Sequence, residues 1–175
     1  MKGLYIMHII LKSERLILRQ FFKDDEPYIF KLHNDADVMK YISSNKGHYS
    51  HEECREFITR QIKYYASHPG LGIWAAVNKS KGEFIGWVAL KDLDNSEYIE
   101  VGYRLLKEHW GKGYATDATK ALINYGFNKL DLDKITAVAL PENKASTNVM
   151  QKAGMKYVGI KKYYNADVVF YEINK

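Results

Sequence analysis

Three apolar segments follow one another between Ile73 and Leu105, and only short polar stretches separate them. Ile73 to Val77, Phe84 to Leu90 and Tyr98 to Leu105 each read as a strand, with Lys79-Ser80-Lys81-Gly82 and Asp94-Asn95-Ser96 as the turns. Connections this short make a β-meander, because a parallel crossover needs a dozen or more residues. The character then changes. His109-Trp110-Gly111-Lys112-Gly113-Tyr114-Ala115 is a glycine loop, and Ala115, Ala118, Leu122 and Tyr125 mark one face of a helix behind it. A meander that runs into a glycine loop and a helix restricts the chain to an α/β fold with a mixed sheet.

The flanks fill in the order. Met1 to Leu11 reads as a ragged start feeding a first strand, and Leu16 to Arg19 is strand-like. Asp24-Asp25-Glu26-Pro27 opens a helix through Ile29, Phe30 and Leu32, since acids and proline suit a helix N-terminus. A second short piece is expected near Val38 to Ile42. Ser50 and Glu53 have capping-box spacing ahead of a stripe of Cys54, Phe57, Ile58, Ile62 and Tyr65. Beyond the glycine loop, Ile135 to Leu140 is a strand, Pro141-Glu142-Asn143 breaks it, and Ala145 to Lys152 is a helix ended by Gly154. Met155 to Ile173 reads as two strands around Tyr164-Asn165-Ala166. The predicted order is β-α-α-β-β-β-α-β-α-β-β.

With 175 residues the chain is expected to form one domain, 1–175, with a sizeable core. The single cysteine, Cys54, excludes a disulfide framework and argues against a cysteine-held zinc; its place on the helix stripe makes it a core residue. No apolar run reaches the ~18 residues of a membrane span, and no leader with a small-residue cleavage site precedes the first strand, so a cytoplasmic protein is expected. His33, His48, His51, His68 and His109 lack metal-ligand spacing and are expected mostly at the surface, with no metal bound. The 26 Lys and Arg against 21 Asp and Glu give a net +5, which favours an anionic partner of unspecified kind.

Strand, Gly-x-Gly, helix is an arrangement suited to phosphate. Glycines let backbone N–H groups converge, the helix start adds its positive end, and Lys112 adds a mobile charge. A P-loop would need Gly-Lys followed by Ser or Thr, whereas Gly113 follows Lys112 here. A Rossmann fingerprint would open the first βαβ unit, whereas this loop follows a meander. A tight turn without a ligand has the same local pattern.

Trp110-Gly111-Lys112-Gly113-Tyr114-Ala115 resembles the acyl-CoA pyrophosphate loop of the GNAT N-acetyltransferase superfamily; Trp110 departs from the general pattern and matches the RimJ/RimL-like branch. Three further stretches are similar to that branch, in order: Ser13 to Arg19, Glu100-Val101-Gly102-Tyr103, and Asn143-Lys144-Ala145-Ser146 followed by Lys152-Ala153-Gly154-Met155. The resemblance spans residues 13–173. It implies a single-domain GNAT-like fold, with a splayed, mostly antiparallel mixed sheet of about seven strands flanked by about four helices. It implies acetyl-CoA as donor and a primary amine, small or at a protein N-terminus, as acceptor. Transfer would be direct, in a ternary complex.

On the same footing, the resemblance maps the pantetheine arm to the edge of Val101, Gly102, Tyr103, Arg104 and Leu105, with an amide near Val101 to Tyr103 polarising the thioester. It maps the pyrophosphate to Trp110, Gly111, Lys112, Gly113, Tyr114, Ala115 and Thr116, with Asn143 and Ser146 as further cofactor contacts. Glu100 is the expected base, because burial would draw a carboxyl toward work near neutrality; an outward-facing strand residue is the plainer alternative. Ser146 is the expected acid, or a simple helix cap. Many GNAT enzymes carry a tyrosine four residues further on, where this chain has Met150, which cannot donate. Asp92, Asp94 and Glu97 would draw a cationic amine or form a solvated turn. The tyrosines Tyr163, Tyr164 and Tyr171 in the tail would line a substrate wall or pack the sheet.

Two other readings remain at this level. One is a non-catalytic acyl-CoA-binding module on the same fold. The other is a nucleic-acid binder, against which stands the absence of any basic block interleaved with aromatics. A second copy of the chain pairing through the tail hairpin is also expected.

Overall fold

The computed structural model describes residues 8–42 and 47–175; the first seven residues of the apolar start lie outside it. Eight strands form one sheet: β1 (Ile9–Lys12), β2 (Leu16–Arg19), β3 (Gly72–Asn78), β4 (Phe84–Asp92), β5 (Ile99–Leu105), β6 (Lys134–Ala139), β7 (Lys156–Tyr163) and β8 (Ala166–Asn174). The spatial order is β1-β2-β3-β4-β5-β6-β8-β7. Every neighbouring pair is antiparallel except β5 and β6. The helices are α1 (Glu26–His33), α2 (Ala36–Met39), α3 (His51–Ser67), α4 (Tyr114–Lys129) and α5 (Lys144–Lys152). The described residues thus hold one more strand and one more helix than the expected seven and four. Ile9–Lys12 pairs as a strand of its own, and the short piece expected after the first helix forms a helix of its own, α2.

Strand alternation sorts the apolar residues onto two faces. Trp74, Ala76, Val101 and Leu105 pack with Ala118 and Leu122 of α4 and Met150 of α5. Ala75 on the other face packs with Ile29 and Leu32 of α1 and Cys54 and Ile58 of α3. Helices α1 to α3 therefore cover one face and α4 and α5 the other. Cys54 is fully buried, as its place on the stripe implied.

Local signals explain most boundaries. The Ser50–Glu53 capping box is formed, with reciprocal side-chain to backbone hydrogen bonds. The short helix sits at Ala36–Met39 rather than Val38 to Ile42, because Asp35 caps it by accepting from the amides of Asp37 and Val38. Ile62 departs from the expected stripe and is 39% exposed, whereas Tyr65, further along α3, still packs against the core. Tyr164 and Asn165 both have positive φ, at 52° and 58°, between the paired residues Tyr163 and Ala166. That is the two-residue primed turn that matches strand twist. No helix among the described residues is long and apolar enough to cross a membrane.

Candidate active site

Strands β5 and β6 meet in parallel at one register position, Glu100 opposite Thr136, where the Thr136 hydroxyl also donates to the Ile99 carbonyl at 3.0 Å. Beyond it the two strands part, and a cleft of ≈ 840 Å³ opens between them. Val101, Gly102, Tyr103 and Arg104 form one wall, and Val138, Ala139, Leu140, Asn143 and Ser146 the other. The β6-facing edge of β5 past Glu100 has no ladder partner among the described residues. Such an edge accepts an extended ligand as an added strand.

The glycine loop lies at the end of this strand. The Trp110 indole donates to the Leu105 carbonyl at 2.9 Å and so ties the loop to β5. Gly111 and Gly113 have φ of 71° and 79°, the left-handed region that suits glycine, and Gly113 is the residue from which α4 starts. Among the described residues, the amides of Gly111, Lys112, Gly113, Tyr114, Ala115 and Thr116 donate to no protein acceptor. The three in α4 are first-turn amides, which have no partner within a helix. A run of unspent N–H groups at a helix N-terminus is a nest for phosphate oxygens.

One residue bracing this loop has no local signature in the sequence. The Arg15 guanidinium donates to the Lys112 carbonyl at 2.9 Å and to the Asp117 carboxylate at 2.5 Å, and it lies over the Tyr114 ring. A Cβ on Gly113 would sit 2.9 Å from Arg15 Nη2. A side chain at 113 therefore meets Arg15 first. The Tyr114 hydroxyl accepts from the buried Asn78 amide at 2.8 Å, which fixes the first turn of α4 from the other side.

Glu100 is 7% exposed, so it is not an outward-facing strand residue. Its Oε1 accepts from Lys91 Nζ at 2.5 Å and from the Tyr164 hydroxyl. The Lys91 ammonium also donates to Tyr164 at 2.7 Å. Glu100 Oε2 accepts from no described residue, and Glu100 lines the cleft. Burial and the Glu100 charge hold the Tyr164 phenol protonated far above its ordinary range. Tyr164 reaches this position because its primed turn is anchored by its own amide, which donates to Asp94. Asp94 is therefore a structural acceptor rather than part of a wholly solvated turn.

Ser146 lies one helical turn before Met150. The Asn143 carbonyl oxygen of the side chain accepts from the Ser146 amide at 3.1 Å and so caps α5. The Tyr103 hydroxyl donates to Ser146 Oγ at 3.2 Å, and burial raises the Tyr103 pKa. A phenol therefore stands beside this region although Met150 occupies the expected tyrosine position; it comes from β5. His33 corrects the expectation of surface histidines. It is 5% exposed, it lines the same cleft, and burial with the Arg104 charge lowers its pKa to about 4.

The model of the Acetyltransferase (GNAT) domain matches residues 15–156. The uncharacterised YkkB of Bacillus subtilis is 35% identical over 165 residues, 93% of this chain and 94% of its own length. A GNAT-family acetyltransferase from Bacillus anthracis superposes with a TM-score of 0.79 at 29% identity, covering 94% of this chain and 97% of that one. RimL, a ribosomal L7/L12 α-N-protein acetyltransferase solved with coenzyme A, shares the fold with a TM-score of 0.80 at 19% identity over 95% of this chain and 98% of its own. At that identity the likeness is one of fold. The splayed cleft, the nest of amides and these matches agree: the chain belongs to the GNAT acetyltransferase family, whose acetyl donor is acetyl-CoA.

Proposed function

We propose that the protein transfers the acetyl group of acetyl-CoA directly to a primary amine, either a small amine or a protein N-terminus. The observation that carries this reading is the pairing of an open β5 edge with six unspent amides at its end. The edge takes the pantetheine arm along Val101 to Leu105, and the nest from Gly111 to Thr116 takes the pyrophosphate. An amide of the Val101 to Tyr103 stretch polarises the thioester carbonyl, where negative charge develops as the amine attacks.

Each proton has a place to go. As the new N–C bond forms and the C–S bond breaks, the amine loses a proton to Glu100 Oε2, directly or through one water. Lys91 and Tyr164 hold the other oxygen of that carboxylate and so fix its orientation. The departing sulfur takes a proton from Ser146, Tyr103 passes one to Ser146 along the hydrogen bond it already donates, and the proton that Glu100 took from the amine returns to Tyr103 through water in the cleft all three line, so no charge is left behind. Asn143 seats Ser146 by capping α5, and we assign it a hydrogen bond to the cofactor because it lines the same cleft. Cys54 is buried on the core face of α3, so we assign no acyl-cysteine step.

The test is release of the CoA thiol across a panel of amines and peptides. Glu100→Gln lowers turnover far more than cofactor affinity; unchanged rates across pH remove Glu100 as base. Acetyl-CoA binding without turnover of any amine points instead to an acyl-CoA-binding module. We also place the protein in the cytoplasm and propose a homodimer through the open edge of β7, where Tyr157, Val158 and Ile160 are exposed. Light scattering that returns only the 20.3 kDa monomer removes that contact.

A further inference from the structure

Buried polar atoms without partners concentrate in one part of the cleft. Among the described residues six buried side-chain atoms lack a hydrogen bond, and four of them belong to residues that line this cleft: both ring nitrogens of His33, Trp87 Nε1 and Arg104 Nε. Orphaned buried donors are costly, so a cluster of them calls for an explanation. The other two, on Trp74 and Thr119, lie outside the cleft and do not join the cluster.

Arg104 lacks a counter-ion. Its guanidinium stacks over the Trp87 ring, 4.9 Å from the centroid, and no described carboxylate pairs with it. The four acids along the cleft are engaged elsewhere: Glu100 with Lys91, Asp94 with the Tyr164 amide, Glu53 with the Ser50 amide, and Glu56 with Arg60 at 3.9 Å. Residues 1–7 and 43–46 contain no Asp or Glu, so the sequence supplies no further candidate there. Burial lowers the Arg104 pKa only to about 10, so the group stays charged at neutrality. A half-buried, charged, unpaired guanidinium beside two unspent donors is a site awaiting an anion.

The anion is not the pyrophosphate. Val101, Tyr103 and Leu105 face α4 and α5, so alternation places Glu100, Gly102 and Arg104 on the opposite face of β5. Trp87, which Arg104 covers, packs against the cluster of α1 and α3. The glycine loop starts α4 on the other side of the sheet. On the Arg104 side, Gly102 and Arg104 are separated by about 7 Å along the strand. An anion on Arg104 therefore lies a few bonds from an amine at the thioester.

We propose that Arg104, with His33 and the Trp87 indole N–H, binds an anionic group of the acceptor, and that the acceptor is a small primary amine carrying a carboxylate or a phosphate. The amine half of this assignment rests on the acetyl-transfer reading; the anion half rests on the orphaned donors alone. Arg104 gives a bidentate fork, Trp87 a single directed donor, and His33 one N–H from whichever ring nitrogen is protonated.

Binding of acetylated products avoids any contribution from amine protonation and requires no turnover. Isothermal titration of the CoA-saturated full chain compares N-acetylglycine with N-acetylglycinamide, N-acetyl-β-alanine with its amide, and N-acetyl-O-phosphoethanolamine with N-acetylethanolamine. In at least one pair the anionic member binds about tenfold to a hundredfold tighter. The first two pairs report a carboxylate and the third a phosphate. Arg104→Met abolishes the preference and Arg104→Lys retains part of it, each pair being compared within one CoA-saturated variant so that any change in CoA affinity cancels. Equal affinity within all three pairs, including no binding by either member, overturns the proposal, as does a preference that survives Arg104→Met. If the Met variant fails to fold, the wild-type pairs and the Lys variant decide. Failure of the acetyl-transfer reading shows separately, as no thiol release with any amine, and leaves the binding preference intact.

Discussion

His33 gives the protein a measurable acid sensitivity. Its ring is 5% exposed, between the rings of Tyr49 at 5.0 Å and Phe57 at 5.2 Å, and neither nitrogen has a hydrogen-bond partner. Burial, and then the positive charge of Arg104, lower its pKa from 6.5 to about 4. The folded-state pKa is depressed, so the unfolded chain binds the proton first as pH falls. Stability from a neutral His33 is complete above pH 6.5 and is lost progressively down to pH 4. Linkage between those two values gives a loss of about 2 kcal/mol at pH 5 and about 3 kcal/mol at the acid limit.

Urea unfolding at pH 7.5 and pH 5 measures this loss, and the variant His33→Phe isolates it. Carboxylates titrate in both proteins, so the difference of the two pH effects belongs to position 33. The wild type loses about 2 kcal/mol more than His33→Phe between those pH values. The imidazole proton resonance of His33 titrates near 4 in the folded protein. Arg104→Met raises that midpoint, because it removes the second cause of the shift. A double difference below about 0.5 kcal/mol, or a His33 midpoint at the ordinary value, refutes the reasoning.

Acetyl-CoA at about a hundred times its dissociation constant stabilises the fold by about 2.7 kcal/mol, which raises the melting temperature by roughly 5–10 °C; no shift at saturation removes the cofactor assignment. Gly113→Val abolishes cofactor binding, both through strain at φ 79° and through displacement of Arg15 from the loop; wild-type affinity in that variant shows that the nest is not used. Tyr103→Phe slows turnover without weakening CoA binding, and unchanged single-turnover rates would sever the Tyr103–Ser146 relay from proton return.

Much of the fold was legible because its signals are local. The capping box at Ser50, the glycine loop and the turn at Tyr164-Asn165 each need only a few adjacent residues, and all three are formed. The edge of Val101 to Leu105 was legible only through the family resemblance, since a splay between two strands leaves no periodic trace in either. The braces were not legible. Arg15 meets the Lys112 carbonyl across 97 positions, and Tyr164 meets Glu100 across 64. No pattern within a strand or helix marks such pairs. His33 was hidden for a different reason: it ends α1 between Leu32 and Asn34, where the last-turn polarity of a helix resembles surface. Only the packing of α1 against α3 and the ring of Tyr49 buries it.

In the mechanism we propose, strand β5 does three jobs by its pleat. One face presents Tyr103 to Ser146, to which we assign protonation of the departing thiolate. The other presents Glu100 and Arg104, to which we assign the acceptor's proton and its anion. The edge between them is left to the donor. Because side chains alternate with a period of two, a one-residue slip of β5 would exchange the two faces and disable both at once. The register is held accordingly: β4 pairs with β5 from Gly86 opposite Leu105 to Asp92 opposite Ile99 without a shift. The Thr136 hydroxyl bonded to the Ile99 carbonyl marks where the splay begins. Moving that contact one residue along the strand would close part of the edge the donor needs, so the site depends on where the sheet stops pairing as much as on the side chains that line it.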